Sequence, residues 1–518
     1  MFVCRRSFGG VDARYYSVDA PRETRRPKLM DQPMTNQIII RGVTAVTMDP
    51  ELGDQIGVDI LVEGDRIAAI GRDLPSRPDA QVIEASGMIA MPGMVDGHRH
   101  VWQTQLRGVA TDWTIVDYAE RMRTMYCVCY EPEDAYLANL VGGLEAINAG
   151  ITSIIDHSHL QLTPDHSDAL ARGLKESGIA GYFCYGFYNN PPYWPGDPLD
   201  IDAIRAVVTA PAERWHVDNA ARVRETHFSD GGVLRFGISM SEIYCAPMDE
   251  AVRELTTAWS LEPEFITSHW YEGSLLRGLH ERGLLRPNML FTHCNQFTPE
   301  DFALLAEIGI GICSTPDTEL GMGLGFPIQQ RTLEAKANAV FGVDICSNLA
   351  GDILSQVRLA LQSQRWADVA EAGRLPAIIS AKARDYLNMV TQGGANAIGM
   401  GGEIGSLTPG KRADLTLVRT DGINMVPVHD PIGALVFYAN TGDIDTVMIA
   451  GRVLKSGGQL KGVDWPALSA RLTESRRRID ERFSQIPSDL GRAVWGDVLG
   501  DTPSFSSGTF DATSEAAA

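Results

Sequence analysis

Apolar positions come in two distinct rhythms along this chain. Near the start, "QIIIRGVTAVTMD", "VDILVEGDRIAAIG" and "QVIEASGMIAMPG" are short apolar runs broken by turn residues, which predicts short strands over 37–92. The same rhythm returns over 402–462 in "GEIGSLTPGKRADLTLVRTDG" and "IDTVMIAGRVLKSGG". Two β-rich segments flanking a long middle predict one small β-sandwich assembled from both ends of the chain. Between them, over 93–401, short apolar strands alternate with helical stretches such as "PEDAYLANLVGGLEAINAG" and "PEDFALLAEIG". Eight candidate strands end near His98, His157, Tyr185, Glu242, His269, His293, Ser314 and Asp344. The predicted fold class is α/β, a (β/α)8 TIM-like barrel with the small sandwich beside it.

The outer segments carry weaker patterns. Residues 1–36 hold several arginines but no apolar core segment, so they are expected to be a disordered lead rather than a secretory signal. Over 463–518, "WPALSARLTESRRRIDERF" predicts a surface helix, followed by a flexible Ser/Thr/Gly/Ala tail. No internal repeat is visible.

Composition narrows the function more than the fold. Of the 518 residues 44% are hydrophobic and 21% charged, which is ordinary for a globular enzyme. A net charge of -21 argues against a sequence-independent grip on nucleic acid or on an anionic membrane. No apolar run approaches a membrane-spanning length. The eight cysteines show no staple pattern beyond Cys127 and Cys129, so reduced thiols in the cytoplasm are expected.

The sharpest chemical signal is "GMVDGHRHVWQTQLRG". His98 and His100 are two apart, so at the end of an extended strand both rings face one side, the mouth of the barrel. One histidine is more often structural than a ligand; two on one face after an apolar strand point to metal. In "VFGVDICSN", Asp344 closes an apolar strand, and a carboxylate there needs a partner, for which a cation is the obvious choice over a helix-cap role. In "FITSHWYEGS", His269 follows a strand with Glu272 three residues on, and "MLFTHCNQF" places His293 at another strand end. Taken singly, these last two patterns would pass for a loop histidine, a solvated glutamate and a core-edge histidine.

Taken in order, the motifs resemble the amidohydrolase superfamily, in which a strand-one His-x-His follows a Pro-Gly-hydrophobic-hydrophobic-Asp lead. The chain is most similar to the heterocycle aminohydrolase branch, the chlorotriazine hydrolases and the guanine, 8-oxoguanine and cytosine deaminases. The resemblance runs from Gln37 to about Gly458 and includes "GSLTPGKRADLTLV". It implies that His98, His100, His269 and Asp344 hold one divalent metal, zinc first and iron second. It further implies that Glu272 and Asp344 move protons while His293 orients the reacting group. Binuclear members use a carbamylated lysine at the end of strand four; here Lys175, Lys336 and Lys382 all fall in helical stretches, so a mononuclear site is expected.

Substrate contacts are expected from Gln103, whose amide can pair with a ring edge, and from Trp102, which can stack or merely pack at the mouth. The chain departs from the branch in "IIDHSHL", with a second His-x-His at His157 and His159, and in "CSTPDTELGMGLGFP", with Asp317 and Glu319. His157 and His159 are read as substrate contacts rather than a rival metal pair. His166, His216, His227, His280 and His429 are left as structural or exposed. The expected activity is hydrolytic deamination of a small nitrogen heterocycle (purine, pterin, pyrimidine or triazine) by a homo-oligomeric enzyme. The alternatives are ring-opening or dechlorinating hydrolysis within the superfamily and a non-catalytic binding protein on the same fold.

Overall fold

The computed structural model describes residues 37–500, with side chains through residue 496. The lead expected over 1–36 and the end of the tail lie outside the described residues. Five strands come first: β1 (Gln37–Ala45), β2 (Gln55–Glu63), β3 (Arg66–Gly71), β4 (Gln81–Glu84) and β5 (Ile89–Pro92). β1, β2 and β3 form an antiparallel meander, while β4 and β5 run parallel to β1.

The chain then enters eight strands that pair in parallel, in sequence order. They are β6 (Met94–Arg99), β7 (Ile151–Ser158), β8 (Ala180–Gly186), β9 (Leu234–Ser239), β10 (Phe265–Trp270), β11 (Met289–His293), β12 (Gly311–Ser314) and β13 (Asn338–Phe341). Helices follow the strands, among them Pro132–Asn148, Pro164–Ser177 and Ile353–Ala372. β6, β7 and β8 are buried along their whole length, as strands covered on both faces must be.

The barrel closes just beyond β6 and β13. His100 N–H donates to Asp344 O at 2.8 Å, and Asp344 N–H donates to His98 O at 2.8 Å. Closure depends on close backbone approach: a Cβ on Gly342 would lie 2.8 Å from the His98 carbonyl oxygen. Eight predicted strand ends and eight observed ones agree to within a few residues.

The first sheet resumes after the barrel with β14 (Leu415–Val418), β15 (Ile444–Ile449), β16 (Arg452–Ser456) and β17 (Gln459–Leu460). β14 pairs antiparallel with β5, which ties the two ends of the chain into one nine-stranded sheet. It has its own core of Ile40, Val43, Ile60, Val62, Leu415, Leu417 and Met448.

The helix expected after the sheet is Trp465–Phe483, its start set by the Asp464 side chain accepting from Ala467 N–H. A second helix, Leu490–Gly500, forms where the sequence suggests only a flexible tail. Tertiary contacts hold it: Arg205 donates to the carbonyls of Val494 and Ala493, and Trp495 Nε1 donates to Thr124 Oγ1 at 2.6 Å. Among the described residues no helix is long and apolar enough to cross a membrane.

Candidate metal site and substrate cleft

β6 ends by placing His98 and His100 at the C-terminal mouth of the barrel, both buried. β10 brings His269, and the turn after β13 brings Asp344, held at φ 68°. A non-glycine residue in that left-handed region costs roughly 1–3 kcal/mol, and the barrel-closing hydrogen bonds on both sides hold it there. His98 Nε2 lies 3.2 Å from His100 Nε2, 3.2 Å from His269 Nε2 and 3.4 Å from Asp344 Oδ1. His100 Nε2 lies 3.3 Å from the same Asp344 oxygen.

These separations fit a shared cation. One imidazole proton satisfies at most one of the three contacts at His98 Nε2. A tetrahedral site with bonds of ~2.0–2.1 Å spaces its ligand atoms about 3.4 Å apart, close to what is observed. The far side of each ring is also arranged for ligation through Nε2. His100 Nδ1 donates to His157 O at 2.8 Å, His269 Nδ1 donates to Glu242 Oε1 at 2.9 Å, and His98 Nδ1 pairs with Thr292 Oγ1 at 3.2 Å. Burial holds His98 well below the ordinary histidine range, so its ring is neutral, the form that can ligate a cation. Burial acts to raise the Asp344 carboxyl, but hydrogen bonds from His100 and His98 outweigh it and hold the group well below the usual carboxylate range.

A second histidine layer packs against the first. His157 stacks on His269 with ring centres 4.2 Å apart, and His159 stacks on His100 at 4.0 Å. Both are fully buried, and burial keeps them well below the ordinary range and therefore neutral. Their Nδ1 atoms have no hydrogen-bond partner, while His157 Nε2 meets the Tyr188 hydroxyl at 2.8 Å.

This histidine–aspartate cluster opens into a cleft of about 610 Å³. His159, His293, Glu242 and Tyr188 line it, with apolar walls that include Ile115, Val116 and Leu324. His293, at φ 78°, pairs through Nδ1 with Thr315 Oγ1 at 3.1 Å and faces the buried Glu319 carboxylate at 3.7 Å. Burial works to lower the His293 pKa, but Glu319 raises it above the ordinary value. Glu319 itself accepts from Ser314 Oγ and Thr315 N–H.

Two expected substrate contacts, Gln103 and Trp102, and the expected proton shuttle, Glu272, do not line the cleft. Gln103 is fully buried, its amide donating to the Tyr118 hydroxyl and accepting from Ser347 Oγ. Trp102 is buried in the core edge-on to Tyr130, at 5.3 Å, so it packs the mouth rather than offering a stacking face. Glu272 is exposed and accepts from Ser274 Oγ at 3.0 Å; its carboxylate is not in the cleft wall.

Other groups reach the cleft without an expected role. Tyr188, two residues beyond the end of β8 in "FCYGFYN", donates to Glu242 at 3.2 Å. Arg123 comes from the helical segment Tyr118–Tyr126, whose entry is fixed by the Thr114–Asp117 capping box, a short motif visible in "TDWTIVDY". Trp495 arrives from the C-terminal helix, and no local pattern announces it.

The profile of the amidohydrolase family matches residues 89–454, most of the chain. The chain belongs to the amidohydrolase family. Within it, similar relatives include a 5-methylthioadenosine/S-adenosylhomocysteine deaminase of Symbiobacterium thermophilum, 28% identical over 465 residues, covering 86% of this chain and 99% of that protein. A 5'-deoxyadenosine deaminase of Methanosarcina mazei is 25% identical over 470 residues, covering 87% and 99%. Among solved amidohydrolase-like structures, a zinc-bound adenosine deaminase from Xanthomonas campestris superposes with a TM-score of 0.73 at 22% identity, covering 86% of this chain and 98% of that one. An atrazine chlorohydrolase mutant from Arthrobacter aurescens, with zinc and atraton, gives 0.73 at 24% identity, covering 85% and 100%. At that identity the superpositions establish the fold.

Proposed function

We propose that this amidohydrolase removes the exocyclic amino group of an adenosine-type purine by hydrolysis, releasing ammonia. The observation that carries the reading is the convergence of His98, His100, His269 and Asp344 on one point at the floor of a largely apolar cleft. Its similarity to adenosine-compound deaminases over nearly their full length supports the purine ring. A divalent cation held by those four residues, zinc before iron, supplies an acidified water and polarises the electrophile.

The chain's own residues do the rest. Asp344, held ionised, accepts a proton at its carboxylate from the attacking water. His293, kept basic by Glu319, hydrogen-bonds the ring as charge builds on it. Two carboxylates flank His269. Glu242 is committed to His269 Nδ1 and the Tyr188 hydroxyl. Among the described residues Glu272 is held by Ser274 Oγ alone, and in this reading a side-chain rotation brings it to carry a proton from water to the leaving nitrogen. The shuttle is therefore assigned to Glu272. His159, on the cleft wall, and His157, behind it, position the substrate. No lysine lies at the C-terminal end of a barrel strand, which supports one metal per chain.

Among the described residues seven cysteines are free and six of these are buried, which supports a reducing, cytoplasmic setting. Exposed Trp366, Leu375 and Ile423 support a homo-oligomer, to be read by light scattering. The deciding experiment is ammonia release from adenosine, 5'-methylthioadenosine, guanine and cytosine by zinc-loaded protein. Release from the 6-aminopurines, abolished by chelation and restored by zinc, is expected. Turnover of none of the aminopurines, with metal in place, defeats the reading.

A further inference from the structure

One cation faces the cleft without an acid to pair it. The Arg123 guanidinium carbon lies 4.8 Å from the centre of the Tyr188 ring, so the ring covers one face of the planar fork and leaves its edges free. Nη1 is sequestered from solvent and has no hydrogen-bond partner. Among the described residues no carboxylate forms an ion pair with it. The buried structural arginines of this chain are different: Arg99 is paired with Asp96 at 2.8 Å, and Arg412 with Asp414 at 2.6 Å.

The nearby acids are already engaged. Glu242 holds His269 Nδ1 and the Tyr188 hydroxyl, and Glu254 accepts from both the backbone N–H and the hydroxyl of Ser241. A sequestered N–H with no acceptor carries a desolvation cost that the fold itself does not recover. The walls beside it, at Ile115, Val116 and Val208, keep the local dielectric low, which strengthens any charge-assisted bond formed there.

We propose that Arg123 is the anchor for a carboxylate carried by the substrate, bound at the Tyr188 side of the cleft. A carboxylate fits because it offers two acceptor oxygens in the plane of the fork, whereas a hydroxyl fills only one N–H. The inference takes its probes from the adenosine-type reading above. S-adenosylhomocysteine carries such a carboxylate, beside an α-ammonium, on a flexible arm, and 5'-methylthioadenosine lacks both.

The test compares kcat/KM for these two compounds on zinc-loaded full-length protein, with dissociation constants for both measured by calorimetry. Wild type is expected to prefer the carboxylate compound by about 10- to 100-fold, the worth of one buried charge-assisted pair. Arg123→Met is expected to collapse that ratio toward one, and Arg123→Lys, which keeps charge but loses the fork, to leave an intermediate ratio. A purely structural role would move both compounds together and preserve the ratio. No preference in wild type, or a preference that survives in Arg123→Met, overturns the proposal. Failure of turnover with the binding ratio intact removes the deaminase reading and leaves the anchor standing; binding of neither compound overturns the anchor.

Discussion

At the scale of single residues, the site separates ligands from their supports. His269 is oriented by Glu242, and a carboxylate behind a ligating histidine fixes the tautomer and raises its basicity. Glu242→Gln is therefore expected to weaken metal affinity by roughly 10- to 100-fold, read by competition with a chelator. Glu272→Gln should behave oppositely. Its metal stays bound, while single-turnover rates fall by roughly 10²–10⁴-fold, the usual worth of positioned acid–base catalysis. Normal turnover in Glu272→Gln with full metal content would pass the shuttle to another group, and Glu242 is next. The stacked layer gives a third contrast: His157→Ala or His159→Ala should keep the metal and raise KM. Loss of metal from His157→Ala alone, with His98→Ala still loaded, would place the centre on the wrong pair.

Elements set which groups stay charged. The helix Met248–Ser260 points Glu254 back at Ser241, and burial pushes its carboxyl up to about 7 from an ordinary 4.5. The folded state thus binds more protons than the unfolded chain between those values. Its stability contribution is most favourable below the unfolded value and is lost as pH rises through about 7. Glu254→Gln removes that dependence. Its melting temperature should exceed wild type above pH 7, and the gap should close toward pH 4.5; a constant gap across that range would rule out the ionisation as its cause. The C-terminal helix is a second element with a distant effect. Ending the chain after Phe483 removes the Trp495–Thr124 and Arg205–Val494 bonds, which brace the segment carrying Arg123. A higher KM with little change in kcat is expected, and an unchanged KM would show that the brace is dispensable.

For the whole molecule, the barrel, the composite sheet and the metal centre are one cooperative problem. Asp344 both closes the barrel through its backbone and, in the proposed metal site, supplies a ligand through its side chain. Chelation should accordingly lower the melting temperature as well as activity, since a cation at 100 times its dissociation constant adds about 2.7 kcal/mol to the folded state. Calorimetric scans with and without chelator check this; identical transitions would mean the four residues hold no ion.

What the sequence determined by itself was everything governed by local period. Strand ends, turn residues and the two-residue step from His98 to His100 follow from backbone geometry, so the barrel, the sheet built from both ends and the candidate ligand set were legible in it. Proximity and side-chain direction across the fold were not, because they depend on packing between segments far apart in the chain. Gln103 looked like a substrate contact until Tyr118 and Ser347 were found to occupy its amide. Trp102 carried two readings, and burial against Tyr130 decided for packing. Glu272 follows His269 by three residues, yet only the tertiary structure sets its carboxylate outside the cleft wall and puts Glu242, from another strand end, against the ligand instead. Arg123, Tyr188 and Trp495 meet at one cleft from three segments well separated along the chain. Their convergence is a property of the packed molecule, where an apolar wall, a ring face and an unpaired charge acquire meaning only beside one another.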